Sequence, residues 1–171
     1  QGVPPDEHQW IETHGAPQSY REYRNRVRDY YRRNYPLTEA ARCLENLNPG
    51  DGSVSRLCHE PRVAVSVLVD MLSPYLSTGK LQLLLNYKAK SAGVEGDRVT
   101  NVEVVHFYSG NKIILTGNSF VDATECGDLL PLTGTEYVTG TESRHETGEL
   151  HAPEKADPKN NQAFTVCFAM D

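Results

Sequence analysis

No C-x-x-C pair occurs in this chain, and its four cysteines, Cys43, Cys58, Cys126 and Cys167, lie far apart. That spacing argues against a structural zinc or a dense disulfide framework and fits reduced thiols. No apolar run approaches the roughly 18–20 residues a membrane-spanning helix needs, so a soluble segment without a membrane span is expected. Basic residues are not in excess: 17 Lys and Arg stand against 23 Asp and Glu, a formal charge of −6. This balance argues against nucleic acid or an anionic membrane as partner. The opening QGVPPDEHQW shows no charged stretch leading into an apolar one, so no secretory signal is legible and the compartment is unknown. Apolar residues make up only 38%, which assigns much of the chain to surface and long loops. The 171 residues still suffice for about one domain with a real core.

Prolines and periodicity divide what is there. Residues 1–19 read as loop, with a turn or two over Asp6 to Ile11 between Pro4-Pro5 and Ala16-Pro17. A helix is predicted from Ser19, capped by Ser19 with Glu22 as its capping-box partner, and ended by Asn34-Tyr35-Pro36. Tyr20, Tyr23, Val27 and Tyr30 form an inward stripe; Arg21, Arg24, Arg28 and Arg32 form a neighbouring solvated one, with Asp29 in a local ion-pair network. NLNPGDGSVS (46–55) is a turn-rich loop. Pro61 suits the first position of a second helix. Its Val63, Val67 and Met71, beside Ala64, Leu68 and Leu72, suggest a wide apolar face packed on a sheet, with Pro74 disturbing the last turns and Gly79 closing them.

KLQLLLNY (80–87) reads as a buried parallel strand. Three strand-like stretches follow, about Ala89 to Val94, Val99 to Tyr108 and Lys112 to Leu115, turning at Glu95-Gly96-Asp97 and Ser109-Gly110-Asn111 as an antiparallel meander. Asn118 to Ala123 is expected to return as a buried strand, and Gln162 to Met170 is a final strand candidate after a polar loop.

Helix, parallel strand, meander, then a strand ending in Asp-Ala-Thr: this order resembles the centre of flavoproteins of the glutathione-reductase type. The blocks QGVPPDEHQWIE, SYREYRNRVRDYYRRNYPLT, LNPG, SRLCHEPRVAV, FVDATECGDLLPLTGTEYVTG and TGELHAP, in that order, resemble the bacterial FAD-dependent oxidoreductase family. The resemblance implies an α/β fold, an α+β fragment of a Rossmann-like FAD/NAD(P)-binding domain with an inserted antiparallel meander and a helical segment. It also implies FAD as cofactor and two-electron chemistry on an unassigned small-molecule substrate. FVDATECGD matches the family's Ala-Thr-Gly turn, except that Glu125 stands where Gly is usual and shifts backbone approach toward Gly127. The G-x-G-x-x-G that takes a dinucleotide pyrophosphate does not occur, and no apolar strand precedes NPGDGSVS to make it a substitute.

The expectation is therefore the middle of a flavoenzyme, separated from N- and C-terminal segments of its parent and holding an incomplete FAD site alone. Residues 1–59 would be a loop and Arg/Tyr-rich substrate-side segment, 60–130 a partial FAD-binding domain, and 131–171 a loop and final strand.

Asp122, Ala123, Thr124, Glu125, Gly127 and Asp128 are the candidate cofactor-binding residues, bordering the adenine-ribose end of FAD; the alternative is an ordinary strand-terminating turn. Cys126 is expected to be a buried small residue rather than a redox thiol. His59 and Glu60, in RLCHEP, are candidate acid–base catalysts, against the alternative of capping residues at a helix start. Arg28, Arg32 and His8 are candidate substrate-binding residues, because an Arg fork matches a carboxylate. Neither PPDEH nor RLCHEP has metal-ligand spacing, so no metal site is assigned. Two rival functions stand beside the flavoenzyme: a non-catalytic binding or self-associating assembly module, and a metal-dependent or hydrolytic enzyme built on the His and carboxylate blocks.

Overall fold

Prolines set where the helices begin and end. Pro17 is held extended at φ −56°, ψ 152°, and its carbonyl accepts the N–H groups of Tyr20 and Arg21, so α1 (Gln18–Asn34) starts directly after it. Ser19 thus lies inside the first turn and the predicted Ser19–Glu22 capping box does not form; no side chain caps this helix. Pro36 disfavours helical geometry in the residue before it, and Tyr35 ends α1 in extended conformation. Thr38 caps the short α2 (Glu39–Arg42) by accepting the Ala41 N–H. The same pre-proline restriction holds Glu60 extended, and Pro61 occupies the first turn of α3 (Pro61–Ser77). Pro74 does not interrupt α3, and Gly79, at φ +71°, follows its end.

The computed structural model describes residues 9–52, 55–161 and 163. They fall into two compact units that divide between Leu83 and Leu84. In the first, Val63 and Val67 of α3 pack with Val27 and Tyr31 of α1 and with Leu47 and Leu57 from the loops. The wide α3 face expected to meet a sheet is in fact a narrow stripe meeting a helix, and Leu68 is 47% exposed. Asn48 organises the loop ahead of α3. Its Nδ2 donates to the carbonyls of Gly52 and Ser55, while its Oδ1 accepts the Cys58 N–H at 2.6 Å. A Cβ at Gly52 would stand 2.7 Å from Cys58 Sγ, so a side chain there would have to displace the Cys58 thiol.

The second unit holds the meander, with β1 (Tyr87–Glu95), β2 (Arg98–His106) and β3 (Lys112–Thr116) in the order β1-β2-β3, antiparallel throughout. Tyr87 pairs with His106, Val94 with Val99 and Val102 with Leu115. Val102 and Val104, two apart on one face of β2, are its buried residues. Gly96, at φ +60°, makes the β1–β2 turn. A short helix, α4 (Leu129–Thr133), contacts β1, and α5 (Arg144–Thr147) opens on a Ser143–Glu146 capping box.

Two expected strands are absent. Of residues 80–87 only Tyr87 is in a strand, and Leu83 and Leu85 are exposed. Residues 118–123 are irregular, with Val121 85% exposed. A buried parallel strand satisfies its backbone only against a neighbour in the same direction, and the described residues contain none. They therefore form a mixed α and antiparallel β structure. The final strand candidate lies outside the described residues except for Ala163.

Candidate functional site

Residues 57–60, between the Asn48 loop and α3, bring chemistry against α1. The Leu57 N–H donates to Ser55 Oγ, and the Cys58 carbonyl accepts the Gly50 N–H, which fixes the approach of His59. His59 Nδ1 lies 2.8 Å from the Leu57 carbonyl oxygen and its Nε2 lies 2.8 Å from the Tyr23 hydroxyl. A carbonyl can only accept, so in the neutral ring Nδ1 carries the proton and Nε2 accepts from Tyr23. Burial, then the neighbouring Tyr20, raise the Tyr23 pKa, opposed by Arg24, so Tyr23 stays a phenol.

Glu60, the next residue, is placed by two more tyrosines of α1 and its end. Its N–H donates to Tyr31 Oη at 2.9 Å, and its carboxylate accepts from the Tyr35 hydroxyl. That hydrogen bond, with burial and the Glu60 charge, pushes the Tyr35 pKa up to about 12. Burial, ahead of the Glu60 charge, also raises Tyr31. His59 and Glu60 thus each have a phenol partner, two weak acids beside one base and one carboxylate. The sequence marked the second pair of residues and missed their tyrosine partners, although Tyr23 and Tyr31 flank Val27 at helical spacing.

The arginine stripe does something else. Arg24 and Arg28 are each 1% exposed and converge on Glu12, the last residue of the turn Gln9–Glu12. Each guanidinium has a nitrogen 2.6 Å from Glu12 Oε1, and Arg28 also donates to the Leu47 carbonyl. Burial pushes the Glu12 carboxyl up, but hydrogen bonds and attraction from both arginines outweigh it and bring the pKa down to about 2. Arg32 donates to Asp29 and to the carbonyls of Leu44 and Glu45. The stripe expected to be solvated therefore includes Arg24 and Arg28, the buried cations among the described residues, and Arg28 and Arg32, the substrate-binding candidates, are engaged here with Glu12, Asp29 and backbone carbonyls. His8 lies outside the described residues.

In the second unit the turn 122–128 closes on itself. Asp122 Oδ1 accepts the Thr124 N–H, its Oδ2 accepts the Leu129 N–H, and Thr124 Oγ1 accepts the Asp128 N–H at 2.7 Å. The Thr124 N–H and hydroxyl, then the Leu129 N–H, hold the Asp122 carboxyl below its usual range. Gly127 sits at φ +65°, and a Cβ there would meet Leu130 Cδ1 at 2.8 Å, so the glycine serves the turn's own closure. Cys126, expected to be buried, is exposed, as are Ala123, Glu125 and Asp128. The carboxylates of Asp122, Glu125 and Asp128 oppose the pyrophosphate of FAD, and the Thr124, Asp128 and Leu129 amides are already given to acceptors within the turn, so the arrangement does not fit that anion. The exposed carboxylates suit hydroxyl donors instead, such as those of a ribose.

Among the described residues no group of three His, Cys, Asp or Glu is placed to hold a metal ion. No described helix is long and apolar enough to cross a membrane. No curated protein and no solved structure matches the chain. A family model described as FAD dependent oxidoreductase matches residues 1–171, and the chain belongs to that family, whose cofactor is FAD.

Proposed function

We propose that this chain takes part in the two-electron oxidation or reduction of a small molecule, with His59 managing the proton and Glu60 supporting it. The family match along the whole chain carries this reading. FAD, when bound, supplies acceptance or donation of the electron pair. The chain's own contribution is protonic. The Leu57 carbonyl fixes Nδ1–H, which leaves Nε2 as the basic atom. Tyr23, donating to Nε2, links that base to its surroundings: a proton reaching the Tyr23 oxygen displaces Tyr23's own proton to His59. Glu60, hydrogen-bonded through Tyr35 and Tyr31, supplies negative charge beside this segment. For the turn 122–128 we propose contact with ribose hydroxyls through Glu125 and Asp128, with Asp122, Thr124 and Gly127 holding its shape and Ala123 keeping it narrow.

The test is the visible spectrum of the purified full-length protein that contains this chain. Bound FAD gives flavin bands that bleach on anaerobic reduction, and the released cofactor comigrates with FAD rather than FMN. A protein that is colourless and takes up no added FAD refutes the proposal.

A further inference from the structure

Between α1 and α3 runs an open groove of about 400 Å³, lined by Ser19, Tyr20, Tyr23, Leu68 and Met71. Its walls are two tyrosines, Leu68, Met71 and the small hydroxyl residue Ser19, with no charged residue among them. Tyr20 and Tyr23 stack with planes 15° apart and centroids 6.1 Å apart, and the Leu68 side chain is turned to solvent beside them. A surface of this kind accepts a flat ring, and the Met71 thioether favours aromatic contact. No lining side chain is a cation; the Arg24 guanidinium lies 5.7 Å from the Tyr20 ring centroid but is buried on Glu12, as is that of Arg28.

Tyr23 connects this groove to His59, and with the His59 ring neutral the hydrogen bonds set the polarity of the pair. Nδ1–H of His59 is given to the Leu57 carbonyl, so Nε2 of the neutral ring is an acceptor, and the one Tyr23 proton points to it. The Tyr23 oxygen has only lone pairs left to offer. A ligand group that meets it must be a donor.

We infer that the groove binds a neutral aromatic molecule bearing an O–H or N–H, such as a phenol, aryl alcohol or arylamine, which donates to the Tyr23 oxygen. The ring rests against Tyr20, Leu68 and Met71. This names a substrate class for the proton-handling pair and rests on the reading above for its place in a reaction, whereas binding itself needs no flavin. Its failure would leave the flavin result standing, and the reverse.

The experiment titrates three ring-matched probes into the full chain with labelled Leu and Met methyl groups: p-cresol, its methyl ether and p-toluate. The cresol shifts the Leu68 and Met71 methyl signals saturably. The ether, which cannot donate, binds about fivefold weaker, the value of one net hydrogen bond, and p-toluate binds weaker than the cresol. Tyr23→Phe brings the cresol down to the ether's affinity and leaves the ether unchanged; Leu68→Glu weakens both. Equal binding of cresol and ether to the unsubstituted chain, tightest binding by p-toluate, or methyl signals that do not move would overturn the inference. That comparison needs no variant, so it stands even where Tyr23→Phe fails to fold.

Discussion

Replacing Glu12 by Gln is the sharpest perturbation of the first unit. The carboxylate is 13% exposed and neutralises two guanidiniums that are each 1% exposed. Gln keeps the volume and one acceptor but removes the charge, and so strands positive charge where water cannot reach it. Breaking a buried ion pair from one side costs about 3–5 kcal/mol, against a total of roughly 5–15 kcal/mol for a domain. Acid probes the same contact. The Glu12 carboxyl lies at about 2 in the folded chain against 4.5 for an ordinary glutamate, a difference worth at most ~3 kcal/mol. Because the folded value is depressed, that stability is complete above about pH 4.5 and is lost as pH falls from there toward 2. Urea unfolding followed by fluorescence of Trp10, the sole tryptophan and two residues from Glu12, measures both effects. Glu12→Gln lowers the midpoint strongly at neutral pH and flattens the pH dependence of stability below 4.5. A loss under about 1 kcal/mol, or acid sensitivity in that window unchanged by the substitution, would refute the buried-network argument.

Three further outcomes follow from local geometry. Asn48→Ala removes an acceptor for the Cys58 N–H and two donated bonds, costing about 1–3 kcal/mol and broadening the His59 ring signals in NMR spectra. Gly127→Ala forces a Cβ onto Leu130 at a left-handed φ, costing roughly 1–2 kcal/mol; Asp122→Asn speeds hydrogen exchange at the Thr124 and Leu129 amides without unfolding the meander. One tyrosine should titrate near 12 in ultraviolet absorbance, and Tyr35→Phe should abolish that component. The neutral Tyr35 phenol's contribution to stability is present below pH 10 and is lost as pH rises to about 12.

The sequence exposed the meander because each of its signals is local. Alternation at Val102 and Val104 and turn residues at Gly96 and Gly110 need nothing from distant chain. Pro61 and Pro36 marked helix limits for the same reason. The missing strands show the complementary case. An apolar run such as Leu81 to Leu85 states a preference for burial, but a strand is made by its hydrogen-bonded neighbour, and pattern alone does not say whether one is present. Ser19 misled in a related way: its capping motif was valid, yet Pro17 already supplied a rigid extended residue at the helix start.

Polar residues were harder to place because charge was equated with exposure. Around Val27, the fully buried centre of α1, positions three and four away include Tyr23, Arg24, Tyr30 and Tyr31, so helical geometry alone places Arg24 beside the core. Arg24, Val27, Arg28 and Tyr31 are spaced as one buried stripe, and they are the buried residues of the helix. A buried guanidinium requires a carboxylate, and Glu12 meets that need from outside the helix, where no periodicity points to it. The consequence reaches the ligand. An acidic substrate was attractive while the arginines were taken as a solvated face. Once Arg24 and Arg28 are held by Glu12, the polar groups lining the α1–α3 groove are the hydroxyls of Ser19, Tyr20 and Tyr23, and the Tyr23 proton is committed to a neutral His59. Hydrogen-bond capacity then replaces charge as the selective principle, and it selects a neutral donor.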